Sequence, residues 1–201
     1  MKEMTIQEAQ EALKSFGIDV KIVEYKSARK LSDVPVGETF KVGDLEFIVL
    51  EHKNDTTAVL LKGLLEMMKF CKYSNDYTYS DVWRELNDYF YDRLTAVIDA
   101  NSIVFHEVDL TSDDGRDDYG TTNCNVSLLT CDMYRKYVRI LDKYRPNSHW
   151  WWLATAQSTE SNGCTVNVCV VLPDGTIHSD ACTSYNGVRP YCVFKSDILV
   201  I

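Results

Sequence analysis

Long apolar runs are what the chain most lacks. Its start, Met1-Lys2-Glu3-Met4-Thr5-Ile6-Gln7-Glu8, is charged and holds no apolar run, so no signal peptide is expected. No apolar stretch elsewhere approaches the length of a bilayer span. Positive charge is scarce: 21 Lys and Arg stand against 30 Asp and Glu, a formal net charge of -9 at pH 7. Binding to nucleic acid irrespective of sequence, and docking on anionic lipid, both need a cationic excess, so neither is expected. Metal-binding spacings are missing too. The seven cysteines (Cys71, Cys124, Cys131, Cys164, Cys169, Cys182 and Cys192) form no C-x-x-C pair. The four histidines (His52, His106, His149 and His178) form no H-E-x-x-H. The expectation is therefore no metal site and no cofactor, with the thiols acting as small buried hydrophobes in a soluble, cytosol-made protein. Cys164 and Cys169 lie five apart and project to opposite faces, which argues against a local disulfide. Low-complexity stretches and internal repeats are absent.

What is present is an ordinary globular composition, 45% hydrophobic and 25% charged over 201 residues. That suits one α+β domain with or without an appendage. Residues 5 to 16 read as an amphipathic helix, with a Thr5–Glu8 capping box and Gly17 as its stop. Residues 18 to 25 alternate as a strand, and a composition shift near Leu31 sets off residues 1–30 as an appendage suited to assembly. Phe40 and Val42, then Leu45, Phe47 and Val49, alternate with polar residues around a Gly43-Asp44 turn. With Thr56 to Leu61 they predict an antiparallel meander. The period then changes. Val82, Trp83, Leu86, Tyr89, Phe90 and Leu94 make a helical stripe capped by Ser80 or Asp81. A second helix is predicted over 132–143, with Met133, Tyr137, Ile140 and Leu141 on one side. Short strands are expected at 103–110, 126–129, 150–155, 165–172, 176–178 and 187–194, with Pro173-Asp174-Gly175 as a hairpin turn.

Trp150-Trp151-Trp152 opens the stretch on which the rest of the chain centres. On a strand Trp150 and Trp152 share one face and Trp151 takes the other, so one face is core and the other packs under a loop or meets a ligand. The polar loop 111–123 carries Asp113, Asp114, Asp117 and Asp118, but no Glu closes it at EF-hand spacing, so it reads as solvated rather than calcium-binding. Arg189, held between Val188 and Pro190, reads as a structural arginine paired with a buried carboxylate, or as a ligand contact.

Several segments in order match one family. These are Phe47-Ile48-Val49-Leu50 after a Gly-Asp turn, Trp83-Arg84-Glu85-Leu86-Asn87-Asp88-Tyr89-Phe90, and Val126-Ser127-Leu128-Leu129-Thr130. They continue with Trp151-Trp152-Leu153-Ala154-Thr155, Pro173-Asp174-Gly175-Thr176 and Gly187-Val188-Arg189-Pro190. Over residues 36 to 195 the chain resembles a domain of unknown function found in gut-bacterial and phage proteins. That domain is C-type-lectin-like, and its fold is similar to those of formylglycine-generating enzymes and phage tropism determinants. The chain departs from the family at Ala154, Ala156 and Tyr191. The resemblance implies a C-type-lectin-like domain over 31–201 with two main helices, short antiparallel strands and long loops. It implies a bacterial cytoplasmic or virion setting, and a scaffold like the variable proteins of diversity-generating retroelements.

On that reading a non-enzymatic module presents its C-terminal loops to a protein or glycan. The expected contacts are Trp151, Gln157, Ser158, Thr159, Glu160, Asn162, Asn167, His178, Asp180, Thr183, Tyr185, Asn186 and Tyr191. Small polar and aromatic residues of this kind suit adaptable binding surfaces. The alternatives are an enzyme of the formylglycine-generating type working through Cys and His, or an assembly protein that oligomerises through its N-terminal appendage.

Overall fold

Two five-stranded sheets and the helices on either side of them make up the body of the computed structural model, which describes residues 6–17, 27–146 and 148–201. In chain order the strands are β1 (Arg29–Lys30), β2 (Thr39–Val42), β3 (Leu45–Lys53), β4 (Thr56–Leu61), β5 (Met67–Lys69), β6 (His106–Asp109) and β7 (Thr121–Cys124). They continue with β8 (Val126–Ser127), β9 (Trp151–Ala156), β10 (Asn167–Val171), β11 (Ile177–Ala181), β12 (Tyr185–Gly187), β13 (Tyr191–Lys195) and β14 (Leu199–Val200). The helices are α1 (Ile6–Ser15), α2 (Asp81–Arg84), α3 (Tyr91–Thr95) and α4 (Cys131–Leu141). The class is α+β.

The first sheet runs β2-β3-β4-β13-β8, all antiparallel, and contains the expected meander. The second runs β11-β10-β9-β12-β5, with β12 parallel to β9 and the other neighbours antiparallel. Its hairpin turns at Pro173-Asp174-Gly175, where Gly175 takes a φ of 87° that a side chain would strain. Two buried clusters cover the two faces. One gathers Phe47, Val59 and Phe194 with Trp152, Ala154, Val168 and Val170. The other gathers Ile48, Leu50 and Leu60 with Trp151, Leu153, Cys169 and Val171. The parity of the tryptophans therefore holds, but both faces of β9 are core. Trp150 lies before the strand, partly exposed beside His178.

Helices close both faces. Val82, Leu86, Phe90 and Leu94 are buried in the first cluster at a constant spacing of four. That spacing runs ahead of an α-helix at 3.6 residues per turn. The chain compensates with a π-helical stretch, Glu85–Phe90, between α2 and α3, whose wider turn brings the four side chains back into line. Asn87 favours the irregularity. Its amide donates to Trp83 O and Val126 O, both at 3.0 Å, and its Oδ1 accepts from Val126 N–H, so the widened turn is bonded to β8. Ser80 caps the segment through Trp83 N–H at 2.9 Å. Tyr89, expected on the apolar stripe, is exposed. Helix α4 buries Cys131, Tyr134, Tyr137 and Leu141 against the second cluster, and Thr130 caps it.

Helix α1 occupies Ile6–Ser15 as expected. Thr5 and the strand expected at 18–25 lie outside the described residues. Arg29 and Lys30 pair with Val200 and Leu199, and Leu31 is fully buried. A boundary after residue 30 would therefore leave β1 on the appendage side, apart from the β14 strand it pairs with. Among the described residues, no helix is long and apolar enough to cross a membrane.

Candidate functional site

One buried amide organises the loops at the end of the second sheet. Asn75 is fully buried, and its Nδ2 donates to Ser158 O at 2.8 Å, Asn167 O at 3.0 Å and Cys164 O at 3.3 Å. Its Oδ1 accepts from Tyr119 Oη–H at 2.7 Å, and its backbone N–H donates to Thr165 O at 2.8 Å. A single side chain thus fixes three segments to one another: 71–79, 157–167 and the acidic loop.

The acidic loop is exposed over 113–118, as expected, but its carboxylates also make it a clasp. Asp114 Oδ1 accepts from Ser112 Oγ at 2.6 Å, while its Oδ2 accepts from Ser158 Oγ at 2.7 Å and Asn162 Nδ2 at 3.2 Å. The hydroxyls of Ser112 and Ser158, with the Arg116 guanidinium nearby, hold the Asp114 carboxyl down to about 2. Asp118 Oδ2 accepts from Ser161 and Thr159, which also lower its pKa. These oxygens hold the 157–164 segment in place.

Further backbone bonds tie three loop bases together. Cys71 N–H donates to Cys182 O at 3.0 Å, Cys182 N–H to Val166 O at 2.6 Å, and Tyr185 pairs with Lys69 between β12 and β5. From these bases Tyr73, Tyr79, Val166, Thr183 and Tyr185 reach solvent. Lys72 Nζ lies 4.7 Å from the Tyr73 ring centroid, and Lys69 Nζ 5.5 Å from that of Tyr185. Asp180 shapes the turn beneath Tyr185, accepting from Ser184 Oγ at 2.9 Å and Asn186 Nδ2 at 2.8 Å.

The structure separates the expected contacts into three groups. Gln157, Glu160, Asn162, His178, Thr183 and Tyr185 are exposed, while Asn167 and Asp180 are half-buried. Asn167 Nδ2 donates to Gln157 Oε1 at 2.9 Å. His178 stands apart near the turn of the β10–β11 hairpin, its ring 6.0 Å from that of Trp150. Trp151, Ser158, Thr159, Asn186 and Tyr191 are buried, and burial removes them from any presented surface. Trp151 packs edge-on against Tyr134 at 5.6 Å, with the Arg189 guanidinium 5.3 Å from its ring. Ser158 and Thr159 turn inward to the clasp, and Asn186 to Asp180. Tyr191 packs against His106 at 5.2 Å. Arg189 is also buried, but it bonds three carbonyls rather than a carboxylate: Leu61 O and Lys62 O at 2.9 Å and Tyr144 O at 3.1 Å. Burial lowers its pKa to about 10.

Sequence reading missed Lys69, Tyr73, Tyr79 and Asn75. A signal was available in Lys72-Tyr73-Ser74-Asn75-Asp76-Tyr77-Thr78-Tyr79, which has the same Tyr, Ser and Asn character as the C-terminal loops.

A scan of known family models found no match, and neither did searches of curated proteins and of solved structures. The chemistry must therefore be read from the residues themselves. His52 bonds Thr57 and Val34 O, and His106 bonds Ser127 and Val104 O, so both ring nitrogens of each are engaged, none by a cysteine. The Ser127–His106 pair, at 3.0 Å, has the atoms of a nucleophile and base, but Ser127 is fully buried and meets no substrate. Among the described residues one mixed group, Asp113, Cys131 and Cys169, brings potential metal-ligand atoms within 4.8 Å of one another.

Proposed function

We propose that this chain is a recognition module that offers the rim of the 71–79, 157–166 and 181–185 loops to a protein or glycan partner. The observation that carries this reading is the contrast between base and tip. The bases are fixed by the buried Asn75 and by backbone bonds, while the tips expose Tyr73, Tyr79 and Tyr185. Tyrosines on a rigid base supply contact area at small entropic cost on binding.

The C-type-lectin-like reading belongs to the same proposal. It is supported by strands from the two ends of the body that pair with each other, by helices on opposite faces, and by long tethered loops in the second half. The sharper version, a variable protein of a diversity-generating retroelement or a phage receptor-binding protein, draws support from the exposed polar positions Gln157, Glu160, Asn162 and Thr183.

The test is a screen of immobilised proteins and glycans with the purified chain, followed by the Tyr73→Ala/Tyr79→Ala/Tyr185→Ala variant. A selected ligand is expected to lose tenfold or more in affinity with the melting temperature unchanged. An unchanged affinity removes the rim from consideration. The flanking DNA gives an independent check: the variable-protein version needs a template repeat that differs from codons 150–191 only at adenines.

A further inference from the structure

We infer that Asp113, Cys131 and Cys169 form a binding site for one thiophilic divalent cation of the zinc type, with its fourth position open to the cavity beside helix α4. The inference is independent of the recognition reading.

The three side chains come from three anchored elements. Cys131 is the first residue of α4, its N–H donating to Thr155 Oγ1 at 2.9 Å, and helix N-termini favour a thiolate. Cys169 lies on β10, on the face that meets α4. Asp113 is held from both sides: its N–H donates to Ala156 O at 2.9 Å, and Arg135 donates to its Oδ1 at 2.7 Å. Arg135 engages only one of the two carboxylate oxygens. One donor atom from each residue lies within 4.8 Å of the others, close enough for a single ion to touch all three.

The donor set selects the ion. Two sulfurs exclude calcium and magnesium, which take oxygen, while two thiolates, one carboxylate and an open position suit zinc. Charge favours a dication as well. Two thiolates and a carboxylate carry three negative charges; the cation offsets two, and Arg135, which it shares with Asp132, offsets part of the third. The hydrogen bond with Cys131, and then burial, push the Cys169 thiol up in the metal-free chain. Binding therefore displaces two protons, one from each sulfur, as two metal–sulfur bonds form.

The cavity supplies both an entry path and the fourth ligand. It has a volume of about 470 Å³ and is lined by Asp113 and Cys131, with Glu107, Asp109 and Asp132 as further carboxylates and Arg135 as the cation. Four carboxylates against one guanidinium draw cations inward, and water then fills the open position. The bound ion would lock the acidic clasp to α4 and β10.

The experiment titrates the reduced full-length chain with Co²⁺ and then displaces it with Zn²⁺. The expected result is one Co²⁺ per chain, with tetrahedral ligand-field bands and a thiolate charge-transfer band whose intensity counts two sulfurs. Two protons should be released per ion. Cys131→Ser and Cys169→Ser should each halve the charge-transfer band and weaken binding at least tenfold. Asp113→Asn should weaken it while both sulfur ligands remain, and Cys164→Ser should leave it unchanged. If a cysteine variant does not fold, the sulfur count and proton release of the unaltered chain still decide. No charge-transfer band at large cobalt excess overturns the site. So does a band that survives both cysteine substitutions. Failure to take up metal together with a Cys131–Cys169 cross-link on oxidation would replace the site with a redox pair.

Discussion

Asn75 and Arg189 show how a buried polar residue sets structure at a distance. Asn75 serves three carbonyls and one hydroxyl from segments far apart in the chain. Replacing it with Ala leaves those groups buried and underbonded, so Asn75→Ala should cost about 3 kcal/mol, read from urea unfolding, and should loosen the rim first, read by hydrogen exchange. Arg189 differs because its charge has no carboxylate partner among the described residues. Arg189→Ala should cost about 3 to 5 kcal/mol, through three orphaned carbonyls and the lost stack on Trp151, and a small change in melting would contradict that role. Neither contact set is legible in the sequence. An isolated Asn in a polar run looks like a turn residue, and an Arg before Pro does not reveal which carbonyls it reaches.

At the scale of elements, the clasp should depend on pH. Asp114 has a folded pKa of about 2, below its ordinary value of 3.8, so the stability it contributes is present above about 4 and is lost as pH falls through about 2. The Asp118 shift has the same sign. Amide exchange in residues 111–118 and 157–163 should therefore rise across that window while the β3–β4 amides stay protected. Uniform loss of protection would mean global unfolding instead. The π-helical stretch offers a second test. Asn87→Ala removes its bonds to Val126 and Trp83 and should cost about 2 kcal/mol in chemical denaturation.

Elements were the most legible level. Alternation gave the meander and the β10–β11 hairpin, because one-sided burial enforces a period of two. Residue spacing marked the helix at 81–95, though the same spacing of four that marked it also forced the wider turn. Tyr134 was missed on α4 because a tyrosine on a mixed face gives no sign of its burial. At the site, alternation of polarity could not distinguish tips from supports: Ser158, Thr159 and Asn186 have the composition of contacts but point inward. The Asp113–Cys131–Cys169 group had no local spacing to betray it, since its members meet only through the tertiary fold.

For the whole molecule, the body begins at Arg29, where β1 meets β14, and Leu31 anchors it. Leu31→Ala should lower the melting temperature by about 5 to 15 °C, the fall expected for a cavity of about 2 to 5 kcal/mol in a domain of this size. The β1–β14 pairing also sets how the body bears load. Arg29 lies opposite Val200, so the two outer strands leave the body at neighbouring points and run antiparallel. Tension applied through them pulls at one end of a two-rung ladder and opens it rung by rung, the zipper geometry that resists force least. A body carried between two tethers would load this seam together with the Ile201–Lys41 backbone bonds at its C-terminal end, and Leu31 would be the first core residue to take tension from the N-terminal side.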